Sequence, residues 1–247
     1  MSLSDDERLD SQDPLRHLRA TDDELVPEQP KSVHDELVKL DVPLGGSRDH
    51  TVQLSLAVDA GPGCGGITWP AGEVLTRYLA RRGPDALAGT RVLELGSGTG
   101  LVGLLAGALG ARVYITDQAP LLATMEKNIA LNSMIAPNVS AVELNWGEPL
   151  SAELSGPYDL ILAADCVYFE PAFPLLVQTL CDLLPPTVKT ETFFCYKKRR
   201  KADKRFFTLL KRYFTWEDVE DDPEHEIYSR EAISLLRLHR KPLSTQL

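Results

Sequence analysis

The chain has 247 residues, of which 43% are apolar and 25% charged, and its net charge is −10. This composition is typical of a globular protein and excludes fibrous, collagen-like and wholly disordered chains. The acidic balance argues against a general binder of nucleic-acid backbones, because that affinity comes from Lys and Arg displacing counterions from phosphates. We therefore expect no direct nucleic-acid partner, and a cationic partner suits the charge better.

The sequence contains no apolar run near the roughly 18 residues of a membrane-spanning helix. Its acidic start lacks the basic and then apolar profile of a secretory signal. Four cysteines are too few for a disulfide framework in a chain of this length, and none forms a C-x-x-C pair. These features predict a soluble, cytoplasmic protein with no membrane partner and no structural zinc. No cluster of His, Cys and carboxylates has metal-ligand spacing, so we expect no metal. We also expect a monomer.

Charge divides the chain near residue 50. Residues 1–50 carry 13 Asp or Glu against 6 Lys or Arg, and four prolines interrupt any long helix. This stretch predicts a flexible acidic arm. From residue 51 two kinds of segment alternate, so we expect one folded domain over residues 51–247.

The alternating segments predict an α/β fold. The predicted strands are 51–58, 91–95, 112–116, 139–144, 158–164, 191–196, 215–219 and 227–238. The predicted helices are 69–82, 101–110, 119–132, 171–184 and a segment whose apolar face carries Phe206, Leu209, Leu210, Tyr213 and Phe214. Such alternation favours a mostly parallel sheet with helices on both faces. The last two strands have no long helix between them and should pair antiparallel.

The run ELGSGTG, residues 94–100, follows an apolar strand and leads into a helix. Gly96, Gly98 and Gly100 would let the backbone approach a ligand that faces the N–H groups of that helix. Gly98, Gly100 and Gly103 also fit the dinucleotide pattern G-x-G-x-x-G. In that pattern, however, the first glycine follows the strand directly, and here that position is Gly96.

The charge of Glu94 helps to choose the ligand of this loop. A carboxylate near the end of the strand would repel a pyrophosphate and attract a sulfonium ligand that carries an amino group. We therefore favour S-adenosylmethionine over a nicotinamide or flavin dinucleotide. A purely structural glycine turn is the remaining alternative.

Two further residues follow strand ends. Asp117 ends the second strand of the core, where an acceptor can bind both ribose hydroxyls of a nucleoside. Its alternative role is to cap the helix 119–132. Trp146 follows the third strand and offers a flat face for adenine, although a lone tryptophan also fits the core or the rim of a site.

The fourth strand of the core ends in ADCVY, residues 164–168. Asp165 would lie beside the topological switch point of the sheet, where ligands of open α/β folds bind. Cys166 has no partner arrangement that would make it a nucleophile, so we interpret it as a small buried apolar residue. Residues 197–205 carry seven Lys or Arg and one Asp. This basic segment is interpreted as a docking surface for an acidic rim of the substrate, with a solvated helix face as the alternative.

These motifs together resemble the seven-β-strand methyltransferases of family 16, which methylate lysines on proteins. The motifs are ELGSGTG at 94–100, Asp117, LNWG at 144–147 and ADCVY at 164–168. Three narrower runs, at 63–73, 163–176 and 196–207, resemble the fungal branch that methylates translation elongation factor 1-alpha. The resemblance covers about residues 52–240 and implies a Rossmann-like sheet of seven strands.

The resemblance also implies roles for individual residues. The implied cofactor contacts are Trp69, Gly96, Ser97, Gly98, Asp117, Trp146 and Ala164, in addition to the Glu94 and Gly100 of the glycine run. Asp165 and Tyr168 match the D-x-x-Y signature at the substrate entrance. The implied cofactor is S-adenosylmethionine, and the implied partner is elongation factor 1-alpha.

The implied reaction is attack of a lysine amine on the sulfonium methyl. Free lysine has a pKa of about 10.4, so the site must favour the neutral amine. We expect Asp165 to orient the ammonium and pass its proton to water, and Tyr168 to shape the channel. A methyltransferase for RNA or small molecules and a catalytically silent binding module are the competing hypotheses.

Overall fold

The computed structural model describes residues 37–58, 66, 68–199 and 203–242. A hairpin, β1 (Leu37–Leu44) and β2 (Ser47–Ala57), precedes a sheet of seven strands. Those strands are β3 (Arg91–Leu95), β4 (Arg112–Asp117), β5 (Val139–Glu143), β6 (Leu160–Ala164), β7 (Glu191–Lys197), β8 (Phe214–Asp218) and β9 (Ile233–Arg240). The helices are α1 (Pro70–Ala80), α2 (Leu101–Ala108), α3 (Ala119–Leu131), α4 (Phe173–Leu183), α5 (Asp203–Leu210) and α6 (His225–Arg230).

The strand order in the sheet is β5-β4-β3-β6-β7-β9-β8. The first five strands of this order are parallel, whereas β9 is antiparallel to both β7 and β8. The order reverses between β3 and β6, which creates the switch point at which open α/β sheets bind ligands. The predicted α/β class, the parallel core and the final antiparallel pair are confirmed.

Two apolar layers cover the sheet. One contains side chains of α1, α2 and the hairpin and the other those of α4 and α5. Neighbouring residues of one strand serve different layers, as the period of a strand requires: Val92 lies in the first layer and Leu93 in the second. Within the described residues, no helix is long and apolar enough to cross a membrane.

The hairpin changes the predicted boundary of the folded domain. Residues 37–50, assigned to the flexible arm, form β1 and the start of β2, so the boundary after residue 50 lies inside a strand. Gly45 and Gly46 have φ of +62° and +74°, the conformation of a tight two-residue hairpin turn. Val42 and Leu44 are buried in the core, and residues 37–50 carry two acidic and two basic side chains, so the acidic excess of the predicted arm lies before residue 37. Residues 1–36 of the predicted arm lie outside the described residues.

Two asparagines of α3 join the hairpin to the domain. Asn128 accepts the Ala57 N–H (2.6 Å) and donates to the Ala57 carbonyl (3.1 Å). One turn later, Asn132 makes the same pair of hydrogen bonds with Ser55, at 2.9 and 2.7 Å. The two side-chain amides therefore pair with β2 as a neighbouring strand would. Asn128 also donates to the Thr99 carbonyl (2.9 Å), in the glycine run.

Two predicted elements near the carboxyl end differ from the structure. The helix predicted to include Tyr213 and Phe214 ends at Leu210, and Phe214 begins β8. The strand predicted over 227–238 begins only at Ile233. Residues 225–230 form the short helix α6, whose Tyr228 reaches the core. Residues 225–230 contain only two large apolar side chains, Ile227 and Tyr228, so periodicity cannot show whether they begin the strand or form a separate helix.

The asparagine pairing predicts a large loss of stability for Asn128→Leu. Leucine has a similar volume but leaves two backbone groups of Ala57 and one of Thr99 without their side-chain partner, at about 1–3 kcal/mol for each buried group. We expect the free energy of unfolding in urea to fall by about 3–5 kcal/mol. Lys127→Leu, at the exposed neighbouring position, should change it by less than about 0.5 kcal/mol. Equal effects of the two substitutions would contradict this role.

Candidate functional site

A cavity of about 440 Å³ opens at the carboxyl edge of the sheet, where β3 and β6 diverge. Cavities of this size hold small organic ligands. The residues that line it come from the ends of the five parallel strands or the segments after them and from the start of α1. The predicted site residues among them are Trp69, Glu94, Gly96, Ser97, Gly98, Asp117, Trp146, Ala164, Asp165 and Tyr168.

The glycine run, residues 94–100, contains a loop that is called the glycine loop below. Its glycines have a backbone conformation that other residues rarely adopt. Gly96, Gly98 and Gly100 have φ of +59°, +55° and +80°. A side chain at Gly96 would also lie 3.0 Å from both the Trp146 ring and the Cys166 sulfur. Gly96 therefore allows the loop to pass closely beneath Trp146. Gly100 is the N-cap residue of α2 and, unlike the other predicted residues, is not part of the cavity lining.

Glu94 is an almost completely buried carboxyl at the floor of the cavity. Its Oε2 accepts the Gly103 N–H (2.9 Å) in the first turn of α2. A side chain at Gly103 would lie 2.7 Å from this oxygen and 2.2 Å from Ile115, so the helix can approach the strand this closely only with glycine. Burial raises the pKa of Glu94 to about 8, despite the opposing hydrogen bond from Gly103.

Asp117 and Ser97 connect the glycine loop to β4. Asp117 Oδ2 accepts the Gly98 N–H (2.9 Å), and its Oδ1 accepts the Gln118 N–H (2.8 Å). The Ser97 hydroxyl accepts the Thr116 N–H (2.9 Å). The N-cap residue of α3 is Gln118, so the alternative prediction of Asp117 as the cap is wrong. Burial raises the pKa of Asp117.

Asp165 follows β6 directly and is 7% exposed. Its φ is +54°, a conformation that Asp and Asn adopt more readily than most residues. Its Oδ2 accepts the Ala71 N–H of α1 (3.1 Å), and its Oδ1 accepts the Lys197 N–H at the end of β7 (3.0 Å). The carboxylate thus joins the first turn of α1 to the end of β7.

Arg199 is a residue of the site that the sequence motifs did not reveal. Its Nη1 donates to Asp165 Oδ1 (2.9 Å), and its guanidinium carbon lies 4.9 Å from the ring centroid of Trp69. It was predicted only as part of the basic docking segment 197–205. Its position two residues beyond the end of β7, at the same edge of the sheet as Asp165, is the signal that could have identified it. Residues 200–202 of that segment lie outside the described residues.

Cys166 is confirmed as a buried small residue. It is 3% exposed, and its thiol donates to the Leu95 carbonyl at 3.3 Å. Burial raises the pKa of this thiol well above its usual range, so the reactive thiolate is disfavoured. In the part of the chain that the structure describes, no group of three or more His, Cys, Asp or Glu side chains could hold a metal ion.

Comparison with known proteins identifies the family of this chain. Residues 48–213 match the lysine methyltransferase family. The chain is 42% identical to the protein-lysine N-methyltransferase EFM6 of Saccharomyces cerevisiae, with 88% of this chain and 96% of that protein aligned. It is 36% identical to the EEF1A lysine methyltransferase 3 of Xenopus tropicalis, over 64% of this chain and 70% of that protein.

A solved structure confirms the fold at low sequence identity. The 16S rRNA N2 G1207 methyltransferase of T. thermophilus, in complex with AdoMet and guanosine, superposes with a TM-score of 0.54. The identity is 19%, and the match covers 88% of this chain and 53% of that one. The Rossmann-like methyltransferase fold is therefore established, and the sequence relationship is the more specific finding. The chain belongs to the lysine methyltransferase family.

Proposed function

We propose that this protein transfers a methyl group from S-adenosylmethionine to a lysine of a protein, and that the protein is translation elongation factor 1-alpha. The observation that carries the proposal is the convergence of Gly96, Asp117, Trp146 and Asp165 on one cavity at the switch point. The family assignment specifies lysine as the acceptor.

The chemistry of the cavity fits the proposed cofactor. Asp117 is at the position of a ribose acceptor, Trp146 is half-buried with its ring against the glycine loop, and Glu94 is the acidic group at the floor. An acidic floor favours a cation over a pyrophosphate. When bound, S-adenosylmethionine supplies an electrophilic methyl group on a positively charged sulfur.

The remaining residues act on the acceptor. Asp165 is held by backbone N–H groups and orients an incoming ammonium. Partial burial lowers the pKa of a lysine amine, so its proton passes to water. The neutral amine would then form a bond to the methyl carbon as the bond from that carbon to sulfur breaks, and S-adenosylhomocysteine would be the leaving group. Tyr168 lines the same cavity and shapes the channel. The rate enhancement comes mainly from holding the two reactants in line.

Two observations support the substrate. One relative carries EEF1A in its name, and the chain also resembles the fungal branch described above. The net charge of −10 favours a cationic protein surface as the partner. This substrate would place the enzyme in the cytoplasm, and the monomeric state stays a prediction.

Calorimetry can separate the roles of the two aspartates. We expect Asp117→Ala to weaken S-adenosylmethionine about 10–100-fold, because hydrogen bonds to a charged acceptor contribute about 1.5–3 kcal/mol. Asp165→Asn keeps the backbone conformation and should leave this affinity within about threefold. The same variant should lower turnover at least 100-fold, the usual range for a group that handles the reacting proton. Equal losses of cofactor affinity would contradict the separate roles.

The raised pKa of Glu94 predicts that the affinity for the cofactor depends on pH. Its raised pKa of about 8 means that the free protein carries a proton on this carboxyl below that pH. A cationic ligand favours the ionised form, so binding releases the proton and the affinity rises with pH until about pH 8. Glu94→Gln keeps an acceptor for the Gly103 N–H but cannot titrate.

The measurement compares the two proteins in calorimetry from pH 6 to 9. The wild type should gain up to about tenfold in affinity per pH unit relative to Glu94→Gln, corresponding to one released proton. Because both proteins bind the same ligand, the comparison removes the effect of the ligand's own ionisation on the affinity. If the cofactor affinities of the two proteins change with pH in parallel, the ionisation of Glu94 is not coupled to cofactor binding.

Mass spectrometry tests the substrate directly. Elongation factor 1-alpha from cells that lack this protein should lose one methyl-lysine peptide, and the purified enzyme should restore it. The Asp165→Asn protein should not restore it. If the methyl-lysine pattern is unchanged while calorimetry confirms cofactor binding, the substrate assignment is wrong and another acceptor must be sought.

A further inference from the structure

We propose that Arg199 is an internal placeholder for the substrate ammonium. Arg199 lies between the Trp69 ring and the Asp165 carboxylate, in a space that we call the acceptor notch. The substrate must therefore displace the Arg199 side chain. This inference rests on the proposed function and adds the residue that controls access of the amine. It predicts that Arg199 raises the KM for the acceptor rather than contributing to the chemical step.

The contacts of Arg199 are those that a substrate cation would make. Its guanidinium pairs with Asp165 Oδ1 at 2.9 Å and lies 4.9 Å from the Trp69 ring centroid. A carboxylate beside an aromatic face is a binding site for cations in general, including lysine ammonium and its methylated forms. The side chains of Arg199 and Asp165 are only 10% and 4% exposed. An incoming amine therefore cannot reach this oxygen while Arg199 remains.

Asp165 does not need Arg199 to keep its position. Each carboxylate oxygen accepts a backbone N–H, from Ala71 on one side and from Lys197 on the other. The Asp165 N–H itself donates to the Cys195 carbonyl at 2.8 Å. These three bonds fix the backbone and the side chain of Asp165. Removal of Arg199 would therefore leave an oriented carboxylate rather than a collapsed one.

The hydrogen bonding of the Arg199 side chain is incomplete, as expected for a side chain that the substrate displaces. Its Nε is buried without a hydrogen-bond partner. A buried polar group without a partner is destabilising, which offsets part of the stabilisation from the ion pair. A lysine ammonium needs fewer partners than a guanidinium and can direct one of its three donors to Asp165. The exchange of one cation for the other is thus energetically feasible.

Amine binding to the notch can be measured without turnover. The probe is n-butylammonium, titrated while the indole resonance of Trp69 is followed by NMR and assigned with Trp69→Phe. Arg199→Met keeps much of the apolar stem but removes the charge, and it should bind the probe at least fivefold more tightly than the wild type. Arg199→Gln provides a second variant, and melting temperatures verify that both are folded. Equal affinities in wild type and both variants would overturn the proposal.

A matched control distinguishes an effect of Arg199 in the acceptor notch from a general effect of the positive charge of the basic segment 197–205. Lys198→Met removes the same charge from the exposed neighbouring residue and should not tighten binding of the probe. With elongation factor 1-alpha, Arg199→Met should lower KM several-fold at unchanged kcat. A lower kcat at unchanged KM would show that Arg199 positions Asp165 and would overturn the placeholder role. The NMR readout needs no cofactor or protein substrate, so its result is distinguishable from a failure of the proposed function.

Discussion

The reversal of strand order between β3 and β6 is the constraint on which the site depends. The chain leaves β3 toward β4 on one side, whereas β6 continues to β7 and β9 on the other. The connections after β3 and β6 therefore separate and leave a crevice at the carboxyl edge. The glycine loop forms one wall, and the segment after β6 forms the other. Residues distant in sequence meet there because parallel strands end at the same edge.

Backbone amides hold the three acids of this crevice. Glu94 binds the Gly103 N–H, Asp117 binds the Gly98 N–H, and Asp165 is fixed by N–H groups from α1 and β7. Each carboxylate therefore joins its own strand end to another element. Such bonds compensate part of the cost of burying an acidic side chain. The same bonds therefore hold both the acids and the loops that form the site.

The sequence predicted those features that depend on local pattern. The glycine run, the strand ends at Asp117 and Asp165 and the parallel core follow from spacing and periodicity, and the structure places them as expected. The pairing of Asp165 with Arg199 joins residues 34 positions apart, and the sequence indicates it only through the shared edge at which β6 and β7 end. Asn128 was missed for a related reason. A polar residue on a helix normally predicts an exposed position, and its burial depends on β2 arriving beside it.

The asparagine pairing extends the influence of the amino-terminal hairpin to the site. Asn128 donates to both the Ala57 carbonyl of β2 and the Thr99 carbonyl of the glycine loop, so one buried amide connects the two. The hairpin does not line the cavity, and β1 precedes the residues 48–213 that match the family. Its apolar side chains nevertheless cover α1 and α2, two of the helices whose first turns line the cavity. The hairpin thus supports the site from behind, through packing and through one shared hydrogen-bonding side chain.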